Sequence, residues 1–152
     1  MRHLQTLLHS EVGELADEVR RLFADLDRTT PAGPGGTAGG YTPSLDVLET
    51  DQTIVLLLDV PGVPPTALRV LLKADVVLIA GDKTPPANDA ASRDASSYHL
   101  VEREFGRFAR AIRVTRAFDG GRAHATVRGG ELRIVLPKIT DRRGKEIQVE
   151  IA

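Results

Sequence analysis

Four histidines, His3, His9, His99 and His124, are the side chains best suited to move a proton or hold a metal near neutral pH. They are scattered, and none has the paired spacing of a metal site. His9 lies beside Ser10 on a helix-patterned stretch, where no pocket preorganises it. There is no cysteine, which excludes thiolate chemistry and disulfide staples and fits a reducing cytoplasm. Gly33, Gly35 and Ala38 match the G-x-G-x-x-A spacing of a dinucleotide-binding loop. That loop needs a strand before it and a helix after it, whereas here a helical pattern precedes and a proline-containing strand pattern follows. No P-loop and no nucleophile elbow is present. No catalytic, cofactor-binding or metal-binding residue is expected, and the chain is not expected to be an enzyme.

Two other constellations point to binding. Arg107, Arg110, Arg113 and Arg116 recur every third residue and could track phosphates. Glu102 and Glu104 open that stretch, however, and only Phe105 and Phe108 could stack on bases. With a formal net charge of -1 the chain has no overall attraction to nucleic acid or anionic lipid, so the arginines read as an interface and salt-bridge surface. The N-terminal stretch is amphipathic, but its polar face is mainly acidic and carries no tryptophan. Burial against another protein suits it better than a membrane surface.

The elements that must position these residues follow from hydrophobic period. Leu4, Leu7, Leu8, Val12, Leu15, Val19, Leu22, Phe23 and Leu26 step by three and four, with Glu11, Glu14, Asp17, Glu18, Arg20 and Arg21 between them. That spacing predicts a helix over 1–28, weakened at Gly13, where a kink or a break into two helices is allowed, and ended by Pro31. Residues 29–42, rich in Gly and Pro, read as a flexible linker, so the helix is expected to be a tethered arm.

From Tyr41 the period changes to two. Leu45 and Val47 alternate with polar neighbours, and Thr53–Val60 runs apolar to the Pro61-Gly62 turn signal. Leu68, Val70 and Leu72 share one face, with Leu71 on the other, and Val76–Ala80 is a second apolar run. Ala123, Ala125 and Val127 lead through Gly129-Gly130 to Leu132, Ile134 and Leu136. Several short strands at turn-marked intervals predict an all-β sandwich or barrel over 43–138. Arg103–Phe118 fits a basic helix or a strand equally well, and Asp82–Ser97 is a long polar loop of the kind that has a job. The last segment, 139–152, is a polar tail ending in Ile147, Val149 and Ile151 on one face. It is either a last edge strand or a strand that docks on another subunit. Two such side chains would contribute about 1.5–3 kcal/mol each before association costs, weak singly and strong in an assembly.

Taken in order, five stretches resemble the small heat shock protein family, of the bacterial and plant-like class. They are Pro43–Glu49, Asp59–Val63, Leu78–Lys83, Tyr98–Arg110 and Ala123–Lys138. The resemblance implies an immunoglobulin-like antiparallel sandwich, the α-crystallin domain, and makes Arg107–Val114 a strand. It also implies dimers that exchange a strand carried on the long loop, here Tyr98, His99, Leu100, Val101 and Glu102. The terminal motif, in the register Ile147/Val149 or Val149/Ile151, would dock into a groove lined by Leu68, Val70, Leu72, Ala123, Ala125 and Val127 of another dimer. The sequence departs from the family at Val114-Thr115, where Leu-Pro is usual, and at Glu131, where Val is usual; the turn glycine and the inward leucine remain. No solubilising extension is expected beyond Ala152.

The function this implies is an ATP-independent holdase that covers apolar patches on unfolding client proteins. The arm, through Leu4, Leu7, Leu8, Leu15, Leu22 and Phe23, would be the client-binding element. The expected partners are clients and further copies of the chain in dimers and larger homo-oligomers, with no cofactor, nucleic acid or membrane. The longest apolar run, Ile54–Leu58, is too short to cross a bilayer, and the acidic N-terminus does not suit a signal peptide, so a cytoplasmic place is expected. The rival reading is an adaptor that uses the same sandwich to bind one specific partner.

Overall fold

The computed structural model describes residues 2–29, 40–86 and 99–139, with helix side chains described from Gly13 to Arg28. Among these residues one α-helix, α1 (Arg2–Thr29), precedes seven strands. These are β1 (Leu45–Glu49), β2 (Thr53–Asp59), β3 (Leu68–Lys73), β4 (Val76–Lys83), β5 (Gly106–Arg113), β6 (His124–Arg128) and β7 (Glu131–Pro137). They form two antiparallel sheets, one ordered β1-β2-β7-β6 and the other β3-β4-β5. The architecture is the antiparallel sandwich that the family resemblance implies, one of the two forms the period-two pattern allows.

Alternation explains the core. Leu56 lies opposite Ile134 across β2 and β7, and Leu58 lies opposite Leu132. All four are buried, as are Val77, Ile79 and Phe108 on the facing sheet, and together they fill the space between the layers. Arg133, between two of these positions, points to solvent. Gly81 lies between Leu68 on β3 and Phe108 on β5, whose side chains fold over it, so a Cβ there would stand 2.4 Å from Cζ of Phe108 and 2.9 Å from Cδ2 of Leu68. Between β6 and β7, Gly129 and Gly130 have φ of 60° and 82°, the two-residue turn that positive φ at both positions allows.

Two readings left open by the sequence are settled here. Gly106–Arg113 pairs with β4 along its length and is therefore strand. The helix continues through Gly13 as one element. A third finding differs from the tethered-arm expectation. The second half of α1 packs on the outer face of β4, burying Leu22 and Leu26 against Leu78 and Ala80. The reason lies in β4 itself: Val77 and Ile79 face the sandwich core while Leu78 and Ala80 face away. A strand apolar on both faces needs cover on both.

Candidate assembly site

Enzymatic chemistry finds no seat among the described residues. No cluster of three or more His, Asp or Glu side chains could hold a metal there. His99 is exposed, and His124 reaches only the carbonyl of Arg122, at 3.5 Å. An open cleft of about 480 Å³ between Glu49, Arg116 and Lys138 is occupied by its own charges. Arg116 Nε lies 3.4 Å from Glu49 Oε1, and Lys138 donates to the same oxygen, which holds the Glu49 carboxyl below its ordinary range. The arginine series does not form one stripe either. On a strand, Arg107 and Arg113 share the outer face, while Arg110 lies on the other and donates to the Pro43 carbonyl at 2.8 Å. A phosphate track is therefore not built.

What the chain does present is a pair of unfinished strand surfaces. Among the described residues β1 is an edge strand, bonded only to β2, and its Val47 and Leu48 are 49% and 48% exposed. Residues 99–105 belong to no strand of this chain, and their Leu100 and Val101 are 73% and 68% exposed. His99 and Glu102 are exposed too, and Tyr98 lies outside the described residues. An exposed apolar segment and an edge strand with exposed apolar side chains are surfaces of the kind that strand addition uses.

A cluster that sequence reasoning missed roots this segment. Lys83, at the end of β4, is buried, with its ammonium 4.1 Å from the centre of the Tyr41 ring and 5.7 Å from that of Phe105. The Arg103 guanidinium is 5.0 Å from the same Phe105 ring. Tyr41 donates to the Asp59 carbonyl at 2.7 Å and meets Phe108 edge-on at 5.5 Å; burial, then the charge of Asp59, pushes its phenol up. Both ends of the long loop are thus tied to one point by a desolvated cation over aromatic faces. The available signal was rarity: Tyr41, Phe105 and Phe108 are half of the six aromatic residues in the chain.

The residues named for the groove lie on β3 and on or just before β6. β3 ends one sheet and β6 ends the other. A Cβ at Gly120, just before β6, would stand 3.7 Å from Cδ1 of Leu72 on β3, so the two edges lie on the same side of the sandwich. Leu68 is buried; Val70, Leu72, Ala123 and Val127 are half-buried against the core; Ala125 is exposed. The tail residues Ile147, Val149 and Ile151 lie outside the described residues. Of the arm residues, Leu15 and Phe23 are half-buried and Leu22 is buried, while the side chains of Leu4, Leu7 and Leu8 are outside the described set.

Known proteins share this fold. Residues 46–152 match the family model described as Hsp20/alpha crystallin family. An 18.9 kDa heat shock protein of Oryza sativa subsp. japonica is 33% identical over 140 residues, covering 88% of this chain and 77% of the rice protein. Spore protein SP21 of Stigmatella aurantiaca is 30% identical over 109 residues, covering 72% of this chain and 62% of its own length. Among solved structures, heat shock protein 16.0 from Schizosaccharomyces pombe superposes with a TM-score of 0.60 at 26% identity, over 74% of this chain and all (100%) of that one. The hspA protein from Xanthomonas axonopodis gives 0.56 at 26% identity, over 66% and 96%.

Proposed function

The chain belongs to the Hsp20/alpha crystallin family, and we propose that it is an ATP-independent holdase working as strand-exchanged dimers tied into larger oligomers. The family is one of small heat shock chaperones rather than enzymes, and this chain is not an enzyme. What supports the assembly reading is that Leu100 and Val101 are exposed on the same chain as an edge strand with exposed Val47 and Leu48. The segment Tyr98–Glu102 of one copy adds to β1 of a second, and the reverse contact forms by symmetry. Lys83, Phe105 and Tyr41 fix where that segment leaves the sandwich.

Above the dimer, the tail residues Ile147, Val149 and Ile151 dock between β3 and β6 of a neighbour, on Val70, Leu72, Ala123, Ala125 and Val127 beside Leu68. Half-buried apolar side chains at two sheet edges support that groove. Each docking is weak, and several in one particle act together, so subunits stay exchangeable. Clients are unfolding proteins, met by the apolar side of α1 (Leu4, Leu7, Leu8, Leu15, Leu22 and Phe23) once stress lifts it. Leu22 is buried at rest, so lifting must come first. No helix among the described residues is long and apolar enough to cross a membrane, and the proposed place of action is the cytoplasm.

The assembly is tested by stopping the chain after Ile139 and measuring mass by size exclusion with light scattering. The expected result is a fall from a larger particle to the dimer with the thermal transition of the sandwich kept. An unchanged mass contradicts the tail's role.

A further inference from the structure

The outer face of the three-stranded sheet has a composition that suits a guest. By register and alternation its floor is Leu71 on β3, Leu78 and Ala80 on β4, and Ala109 and Ala111 on β5. Lys73 and Arg69 border that floor on β3, Arg107 and Arg113 on β5. An apolar floor with cations at its corners is complementary to an amphipathic helix that has carboxylates beside its apolar stripe.

α1 is such a helix, and it sits on part of this floor. Leu22 and Leu26 cover Leu78 and Ala80, while Ala109 and Ala111 stay exposed. Lys73 Nζ lies 3.4 Å from Glu14 Oε2 and 3.3 Å from Glu18 Oε1. Arg107 pairs with Asp27, and its guanidinium stands 5.3 Å from the Phe23 ring. Behind it, buried Asp82 holds Arg107 Nε at 3.6 Å through Oδ2, and its Oδ1 has no hydrogen-bond partner among the described residues. The seat is shallow. Among the described side chains, four buried residues join α1 to the sheet, against fourteen in the sandwich core. The ion pairs around it are of the screened, partly exposed kind. α1 therefore leaves before the sandwich opens.

We propose that this sheet face binds acidic amphipathic helices of unfolding client proteins, and that α1 is a built-in competitor occupying the site at rest. The identity of the guest rests on the chaperone reading above; the existence of the site does not. The probe is a fluorescein-labelled peptide with the sequence of residues 13–28, added to full-length protein and followed by anisotropy. In the full chain, Leu22→Asp with Leu26→Asp unseats α1 without touching the sandwich core. That variant is expected to bind the peptide at least tenfold more tightly than wild type. Adding Lys73→Glu and Arg107→Gln is expected to remove the binding. Wild type with Lys73 amide-coupled to Glu14 or Glu18 by carbodiimide, the bond located by mass spectrometry, is expected to bind no peptide even on warming, whereas uncoupled wild type gains binding. Equal binding by wild type and the unseated variant overturns the proposal, as does binding that survives either the charge changes or the amide. A retained sandwich melting transition qualifies each variant, and the coupled and uncoupled wild-type pair decides the matter without any substitution. No aggregation is read, so the outcome is separate from whether the chain protects clients.

Discussion

A chain carrying Leu100→Asp and Val101→Asp is expected to run as a monomer at concentrations where the parent is dimeric or larger. In one chain these side chains are 73% and 68% exposed, so the sandwich loses nothing when they change. In the exchanged dimer they would be covered against a second copy. Burying a large aliphatic side chain contributes about 1.5–3 kcal/mol, and a carboxylate placed there must be stripped of water without a partner. Losing two such contacts weakens each of the two symmetric sites by about 3–6 kcal/mol, about 6–12 kcal/mol in all, a factor of at least about 10,000. Light scattering after size exclusion reads the mass, and a thermal melt confirms the fold. A variant that keeps the dimer mass with an unchanged melt removes Tyr98–Glu102 from the interface.

The second large effect lies in the core. Leu56 is fully buried on β2, flanked by Val47 and Ile134 in the neighbouring strands. Leu56→Ala leaves a cavity that the rigid layers cannot close, at a cost of about 2–5 kcal/mol. Leu48→Ala, one residue along the partner strand but on the outer, half-exposed side, is expected to cost well under about 1 kcal/mol in the single chain. Urea titration separates them: the Leu56→Ala midpoint drops sharply at constant slope, while that of Leu48→Ala barely moves. Because a strand-exchanged dimer would add to folded-state stability by mass action, both titrations belong in the Leu100→Asp, Val101→Asp background. Equal midpoints for the two would contradict the layer assignment.

How far the sequence could be read divides along physical lines. Strands with one wet face announced themselves by alternation: Leu132, Ile134 and Leu136 with Arg133 between them is such a case, and all three leucine and isoleucine side chains are buried. β4 was legible as a strand, yet its apolar second face did not say what would cover it. That cover is α1, from some fifty residues earlier, and hydrophobic period within one segment carries no information about such a distant partner. The Arg107–Arg116 stretch was ambiguous because a three-residue spacing serves a helix while Phe108 and Ile112 serve a strand; pairing with β4 decides it. The cation–aromatic cluster of Lys83, Tyr41 and Phe105 was invisible for a related reason. Each residue is unremarkable locally, and only the meeting of β4, the start of the domain and the foot of the loop gives the lysine its desolvated seat. By contrast, the surfaces assigned to assembly were legible chiefly through resemblance, since an exposed Leu100 or Val47 breaks a local rule without saying what will bury it.

As a holdase, this chain would shield unfolding proteins without nucleotide. The most direct measurement is light scattering from a heat-unfolding client protein, with and without the full-length chain, in the absence of ATP. Holdase action predicts that scattering is suppressed at near-stoichiometric ratios and that client and chaperone elute together as soluble complexes. Undiminished scattering at every ratio and temperature would contradict it and favour an adaptor that binds one specific partner.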